Sequence, residues 1–280
     1  MDKNFKLYNG VNIPCIGFGT YMIPDGSPIA NSVKYALDTG YRHIDGAEAY
    51  GNEVGEGRGI RESGISRKDI FVTSKVWATD RGYDRTLRAF DKTMANLNIE
   101  YLDLYLIHWP ASGNRYTDWK EINRDTWKAM ELLYREGQVR AIGLSNFLPH
   151  HIKALRDMTE ICPMVNQIEF HPGYMQADCL QYCQQEDILV EAWSPLGRGR
   201  VLENELLRSI AERYGKSVAQ VCIRWAIQHG VVPLPKSDNP NRIRENIDVF
   251  DFLLTGDEMK AIDNMPRTGW SGLHPDTVDF

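Results

Sequence analysis

Eight times along this chain a short β-branched or aromatic run gives way to a polar turn and then to a stretch with helical periodicity. That alternation limits the fold more than any other feature. It is preceded by a hairpin predicted over Lys6 to Ile13, turning at Asn9-Gly10. The first predicted strand is Ile16 to Thr20, with a helix from Ser27 to Thr39 ended by Gly40. Strands at Arg42 to Asp45, Phe71 to Val76 and Leu102 to Ile107 follow. Their predicted helices are Asn52 to Glu62, Gly82 to Leu97 and Arg124 to Glu136, the last closed by Gly137. The second half continues with strands at Val139 to Leu144, Met164 to Glu169, Leu189 to Trp193 and Val231 to Leu234. Between and after them come helices at Pro149 to Met158, Ala177 to Glu186, Glu203 to Tyr214, Ser217 to Gln228 and Asn241 to Val249.

Strict alternation at this count favours an α/β fold of the (β/α)₈ TIM-barrel type, with the hairpin ahead of it and a loop at the C-terminus. A chain of 280 residues suits one such barrel, for which about 250 residues is typical. No linker or composition shift divides it, so one domain over residues 1–280 is expected. An open doubly wound sheet is disfavoured: no Gly-x-Gly-x-x-Gly follows the first strand, and Gly55-Glu56-Gly57-Arg58-Gly59 has the wrong spacing and falls inside a predicted helix. The net charge of −6 favours neither nucleic acid nor an anionic membrane. No apolar run at the start reads as a leader and none approaches membrane-spanning length, so a cytoplasmic protein is expected, as a monomer. The five cysteines are odd in number and scattered, which argues against a disulfide framework. Cys179 and Cys183 share a helix face but lack a nearby histidine, so they read as buried thiols, and no metal site is expected.

If the runs are parallel strands of one closed sheet, their C-terminal ends meet at one mouth. Asp45, Lys75 and His108 stand at or just beyond such ends, and Tyr50 lies five residues after Asp45. A phenol is a weak acid, with an ordinary pKa of about 10, and a neighbouring cation pulls it down. A carboxylate, a phenol, an ammonium and an imidazole in one place point to carbonyl reduction.

Six segments in order carry a family resemblance that covers nearly the whole chain. They are Gly40-Tyr41-Arg42-His43-Ile44-Asp45 with Tyr50, Asn52 and Glu53; Leu102 to Pro110, ending Ile107-His108-Trp109-Pro110; and Gly143-Leu144-Ser145-Asn146-Phe147. Next come Asn166-Gln167-Ile168-Glu169 with His171-Pro172, Trp193-Ser194-Pro195-Leu196-Gly197, and Pro235-Lys236-Ser237 with Arg242, Glu245 and Asn246. In these the chain resembles the aldo-keto reductases, and Trp193 resembles a subset with diketogluconate-reductase-like and glyoxal-reductase-like bacterial members.

The resemblance implies NADPH-dependent reduction of aldehydes or small ketones. Tyr50 would be the acid, Lys75 would lower its pKa, Asp45 would orient Lys75, and His108 would hydrogen-bond the carbonyl oxygen. It also implies a cofactor site of Gly19, Thr20, Ser145, Asn146, Gln167, Trp193, Ser194, Leu196, Lys236, Ser237, Arg242, Glu245 and Asn246. Ser145, Asn146 and Gln167 would hold the nicotinamide amide and Trp193 would stack on its ring. Lys236, Ser237 and Arg242 would meet the 2′-phosphate, for which an arginine fork is well suited. Tyr21, Trp77, His108 and Trp109 would bind substrate. Gly46 stands where the family often has Thr, so that turn is expected to be looser. The tail from residue 267 to 280 is expected to be a mobile loop, with Trp270, Leu273 and Phe280 closing over the mouth. Two rivals share these residues: an aldolase using Lys75 as a Schiff-base nucleophile, and a catalytically idle nicotinamide-binding protein.

Overall fold

The computed structural model describes residues 3–280. Residues 1 and 2, part of the stretch read for a leader, lie outside the described residues. Strands β1 (Asn4–Lys6) and β2 (Asn12–Pro14) form the antiparallel hairpin, turning through Asn9-Gly10. The other strands are β3 (Phe18–Gly19), β4 (His43–Asp45), β5 (Phe71–Val76), β6 (Leu104–Ile107), β7 (Ile142–Ser145), β8 (Val165–Glu169), β9 (Leu189–Trp193) and β10 (Val232–Pro233). They pair in parallel, each with its neighbour in sequence. Gly17 and Gly19 donate their N–H groups to Pro233 O (3.0 Å) and Pro235 O (3.1 Å), which joins β3 to the end of β10 and closes the ring.

The helices are α1 (Ser27–Asp38), α2 (Glu53–Glu62), α3 (Tyr83–Leu97), α4 (Trp119–Arg135), α5 (Pro149–Arg156), α6 (Ala177–Gln185), α7 (Glu205–Tyr214), α8 (Val218–Gln228), α9 (Pro240–Ile247) and α10 (Gly256–Asp263). Parallel strands covered by helices are buried on both faces, and every residue of β4 to β8 is buried, the polar ones included. Helix α2 tolerates its glycines because of crowding: a Cβ at Gly57 would stand 2.0 Å from Leu97 O at the end of α3.

Three sequence expectations need correction. Helix α4 begins at Trp119, earlier than Arg124, because Trp119, Asn123, Thr126, Trp127 and Met130 continue one inward-facing stripe. Helix α10 was not predicted, although Thr255 and Glu258 form a reciprocal capping box at its start. The tail is fastened rather than loose. Ser271 donates to Glu169 through both N–H (2.8 Å) and Oγ (2.7 Å), Arg200 donates to Trp270 O (2.6 Å), and Asn114 donates to Asp276 O (2.6 Å).

Candidate active site

At the C-terminal end of the strands, Asp45 closes β4, Lys75 lies near the end of β5, His108 follows β6, and Tyr50 ends a short 3₁₀ turn after β4. Lys75 Nζ donates to both Asp45 oxygens at 2.9 Å and to Gly46 O at 2.8 Å. The same ammonium lies 5.2 Å from the centroid of the Tyr50 ring, and the His108 ring is 5.6 Å from that of Tyr50. The four residues named from sequence are therefore brought together. Lys75 is fully buried, and such a charge survives only with close, well-formed partners.

Lys75 lowers the Tyr50 pKa, as expected, but burial raises it more. Burial pushes the Tyr50 phenol up to about 12; Lys75 pulls it down and Asp45 pushes it further up. Desolvation outweighs the cation, so Tyr50 remains a fully protonated donor at neutral pH. Burial alone would weaken the Lys75 ammonium, but Asp45 and Tyr50 hold its pKa well above the ordinary lysine value. Burial, reinforced by Lys75, keeps the His108 imidazole neutral, far below its usual pKa, with Nδ1 lacking a partner.

Two expected contacts point elsewhere. Gln167 turns its amide nitrogen inward, to Asp45 Oδ1 (2.8 Å) and Glu191 Oε2 (2.9 Å), so this donor is already engaged beneath the mouth. Thr20 is fully buried, and its single hydroxyl proton is shared between Asp45 O (3.0 Å) and Glu56 Oε2 (3.2 Å). Nor is the turn at Gly46 loose. Its N–H donates to Thr73 O (2.9 Å), its carbonyl accepts from Lys75, and the Glu56 carboxyl packs against it. Glu56, Glu191 and His43 are residues the sequence did not single out, because charged and titratable side chains usually read as surface. His43 is driven down to about 3 by burial, with Lys75 adding to the effect, and its Nε2 lies 3.0 Å from Thr73 Oγ1.

Around this centre, Trp193 Nε1 donates to Asn146 Oδ1 (2.8 Å), and Asn146 Nδ2 donates to His108 O (3.0 Å) and Ser145 Oγ (3.1 Å). Asn146 and Ser194 both have positive φ, 64° and 50°, so the segments after β7 and β9 turn sharply at the mouth. Leu196 is half-buried beyond Ser194. Gly19 lies so close to β10 that a Cβ would stand 3.1 Å from Leu234 O, and this brings its strand end beside Lys236. Ser237 Oγ accepts from Asn239 N (3.1 Å), and Asn239 caps α9, with Arg242 exposed in the first turn, 3.8 Å from Asp238. Glu245 is half-buried and Asn246 buried on the same helix. Cations at a helix N-terminus beyond the last barrel strand suit a phosphate, and a half-exposed Trp193 suits a flat ring. The residues fit a nicotinamide dinucleotide.

Aromatic rings form the wall. Tyr21 lies 5.0 Å from Tyr50, Trp77 5.1 Å from His108, and Phe280 5.0 Å from both Trp77 and Trp109. Phe280 does close over the mouth, whereas Trp270 packs with Tyr174 and Arg267 instead. Leu273 lines a small crevice beside Trp193.

Among the described residues one cluster has metal-ligand chemistry: His150, His151 and Asp276. His151 Nδ1 accepts from Leu148 N (3.2 Å), so in the neutral ring Nε2 carries the proton, 3.0 Å from Asp276 Oδ1 but without the alignment of a hydrogen bond. The hydrogen bond that fastens the tail here is the one between His150 Nε2 and Asp276 Oδ1, at 3.1 Å. A groove of about 1160 Å³ is lined by Lys3, Pro14, Arg42, Lys216, Phe250 and, from α9, Glu245; none of Asp45, Tyr50, Lys75 and His108 lines it.

Comparison with known proteins agrees with this geometry. The Aldo/keto reductase family matches residues 15–266. A glyoxal reductase of Bacillus subtilis (strain 168) is 49% identical over 280 residues, covering all of this chain and 99% of that protein. The crystal structure of MGS-M4, an aldo-keto reductase from a Medee basin deep-sea metagenome library, superposes with a TM-score of 0.93 at 42% identity, covering 99% of this chain and all of the other. A Bombyx mori aldo-keto reductase in complex with NADP superposes at 0.86 with 34% identity, covering 93% of this chain and 91% of that one.

Proposed function

This chain belongs to the aldo/keto reductase family, and we propose that it reduces aldehydes or small ketones, dicarbonyls included, to alcohols with NADPH, through one reductase domain spanning residues 1–280. The observation that carries this reading is the Lys75 ammonium, fixed by Asp45 and Gly46 O and set against the Tyr50 ring at an aromatic-walled mouth. When bound, the dinucleotide supplies a hydride to the carbonyl carbon. Ser145, Asn146 and Trp193 would hold its nicotinamide end. Gly19, Ser194 and Leu196 would line its path, and Lys236, Ser237, Arg242, Glu245 and Asn246 would hold its adenosine end.

Tyr50 gives the carbonyl oxygen its proton as negative charge builds there. With its pKa near 12 the phenol is a reluctant acid toward water but a matched one toward an alkoxide. Lys75 steadies the phenolate left behind, and Asp45 keeps the ammonium in place. His108, held neutral, can donate one N–H to the carbonyl oxygen and orient it without adding a charge. Trp77, Trp109, Tyr21 and Phe280 exclude water from that oxygen, which strengthens both interactions.

The aldolase reading requires a free amine at Lys75. The ammonium is instead raised in pKa and engaged by three oxygens, which disfavours nucleophilic attack. An idle binding protein would not need Tyr50 and His108 held edge to face beside that ammonium.

The test is a carbonyl panel of glyoxal, methylglyoxal, an aromatic aldehyde and a small ketone, followed by loss of reduced-nicotinamide absorbance with NADPH and with NADH. Turnover with NADPH preferred is expected. No turnover with any carbonyl would dismiss the reading, and a borohydride-trapped adduct on Lys75 would install the aldolase.

A further inference from the structure

The carboxyl group of Glu56 has no part in the chemistry above, yet it is completely buried in α2, against the residue that follows Asp45. Among the described residues its Oε2 has one hydrogen-bond partner, Thr20 Oγ1 at 3.2 Å, and its Oε1 has none. Glu53, one turn earlier, differs: Ser74, Thr93 and Asn96 all donate to it within 3.0 Å. A buried carboxyl with a single long hydrogen bond is costly as an anion.

Position 46 explains why it is there. A Cβ on Gly46 would stand 2.4 Å from Glu56 Oε2 and 2.8 Å from Oε1, so the carboxyl fills the volume of the missing side chain. Gly46 meanwhile offers its carbonyl to Lys75 Nζ at 2.8 Å. Thr20 Oγ1 bridges Glu56 to Asp45 O, the carbonyl of the preceding peptide. The two residues that grip the ammonium thus share Glu56 as their backing.

We propose that Glu56 is a positioning residue for the reduction, seated on Gly46 so that the Gly46 carbonyl and Asp45 hold the Lys75 ammonium against Tyr50. This rests on the roles assigned above to Asp45, Tyr50, Lys75 and His108.

The groups that face Glu56 are Glu53 on its own helix, Asp45 from β4, Lys75 from β5 and the Thr20 hydroxyl beyond β3. Burial, then Glu53 and Asp45, push its pKa up to about 8 against the opposing pull of Thr20 and Lys75. Below that pH Glu56 is a neutral acid that fills space without competing for the ammonium. Above it a new anion draws on Lys75 and disfavours the phenolate that must form at Tyr50, so turnover falls on the alkaline side.

Three variants test this, with NADPH and one good aldehyde. Gly46→Ala should lower kcat by at least about ten-fold, because a displacement on the order of 1 Å at a reacting centre is that damaging, and leave NADPH affinity within about two-fold. The same change in a Glu56→Ala background should cost no more than about three-fold, since the clash is gone. Glu56→Gln keeps the shape but cannot ionise, so the fall in kcat above pH 8 should disappear or move up by about one pH unit. If Gly46→Ala does not fold, the Glu56→Gln profile decides alone. Equal losses in both backgrounds, or a Glu56→Gln profile that overlays the parent, would overturn the role of Glu56. A Tyr50→Phe control separates the two levels. If Tyr50→Phe retains parental turnover, the reading of the site fails and takes this proposal with it. If Tyr50→Phe is inactive while Glu56 shows no coupling, only the proposal fails.

Discussion

Phe280, the last residue of the chain, lies stacked on Trp77 with ring centroids 5.0 Å apart and planes 29° apart. Trp77 in turn meets the His108 ring edge-on, so the C-terminus is two rings away from the carbonyl site. The tail reaches this point because Glu169, Asn114 and His150 hold Ser271 and Asp276 along the way.

Phe280→Ala should therefore alter substrate choice with little effect on the cofactor. Aromatic-pair contacts are worth about 0.5–1.5 kcal/mol beyond area burial, which corresponds to roughly 2- to 13-fold. The Michaelis constant for an aromatic aldehyde should rise by that order while the constant for glyoxal changes less. A substrate ranking identical to the parent would make the ring irrelevant to selectivity. Removal of the whole tail after Pro266 is a harsher experiment, because it also strips Glu169 of Ser271 and leaves Asn114 and His150 without Asp276.

Much of this arrangement is visible in the sequence, for a simple reason. Doubly buried parallel strands appear as apolar runs, and polar residues at their C-terminal ends, such as Asp45 and His108, stand out against them. The tail does not show, because its contacts join residues far apart: Ser271 to Glu169 across 102 positions, His150 to Asp276 across 126. Nor can the sequence say which way an amide points. Gln167 uses its amide nitrogen on two carboxyl groups, which leaves its carbonyl oxygen as the atom for a nicotinamide contact. Glu56 and Glu191 are hidden for the opposite reason, since a charged residue at helical or strand spacing reads as a solvated face. Gly46, missing a side chain beside a functional aspartate, was the one local sign that something else fills that space.

Arg242→Ala should weaken NADPH more than NADH. Arg242 projects from the first turn of α9 near Lys236 and Ser237, and its one ion pair among the described residues, with Asp238 at 3.8 Å, is exposed and weak. The guanidinium is thus free to engage a phosphate. A lost charge-assisted hydrogen bond costs about 1.5–3 kcal/mol, or about 10- to 150-fold in affinity. Fluorescence titration with both cofactors measures it; equal losses would remove Arg242 from the 2′-phosphate.

Glu191 offers a stability test with a definite sign. Burial, with Asp45 adding, raises its pKa from 4.5 to about 8, while Gln167 and Lys75 oppose the rise. The folded chain keeps this proton up to about pH 8, whereas the unfolded chain releases it above 4.5. The associated stability is therefore complete below pH 4.5 and drains away as pH rises toward 8, by at most about 1.4 kcal/mol per unit. Glu191→Gln keeps an acceptor for Gln167 without titrating. Its melting temperature should gain on the parent steadily from pH 5 to 8; parallel melting curves would mean that Glu191 ionises normally.

The decisive prediction concerns Tyr50. Tyr50→Phe removes one hydroxyl and keeps the ring packed between Tyr21 and His108, so folding and NADPH affinity should survive within a few-fold. What is lost is the proton for the alkoxide that forms as hydride arrives. An interaction made only in the transition state lowers turnover without weakening the ground-state complex, so kcat should fall at least ~10²-fold. Lys75→Met should be comparably damaging. Burial already pushes the phenol up to about 12 with the cation present, and without it nothing nearby steadies the phenolate. It also leaves Asp45 buried without its ion partner, so circular dichroism should accompany the kinetics. The double variant should be little worse than either single one, since both disable one proton-donating unit. If Tyr50→Phe reduces a good aldehyde at near-parental rate, the proton comes from elsewhere and the mechanism is wrong.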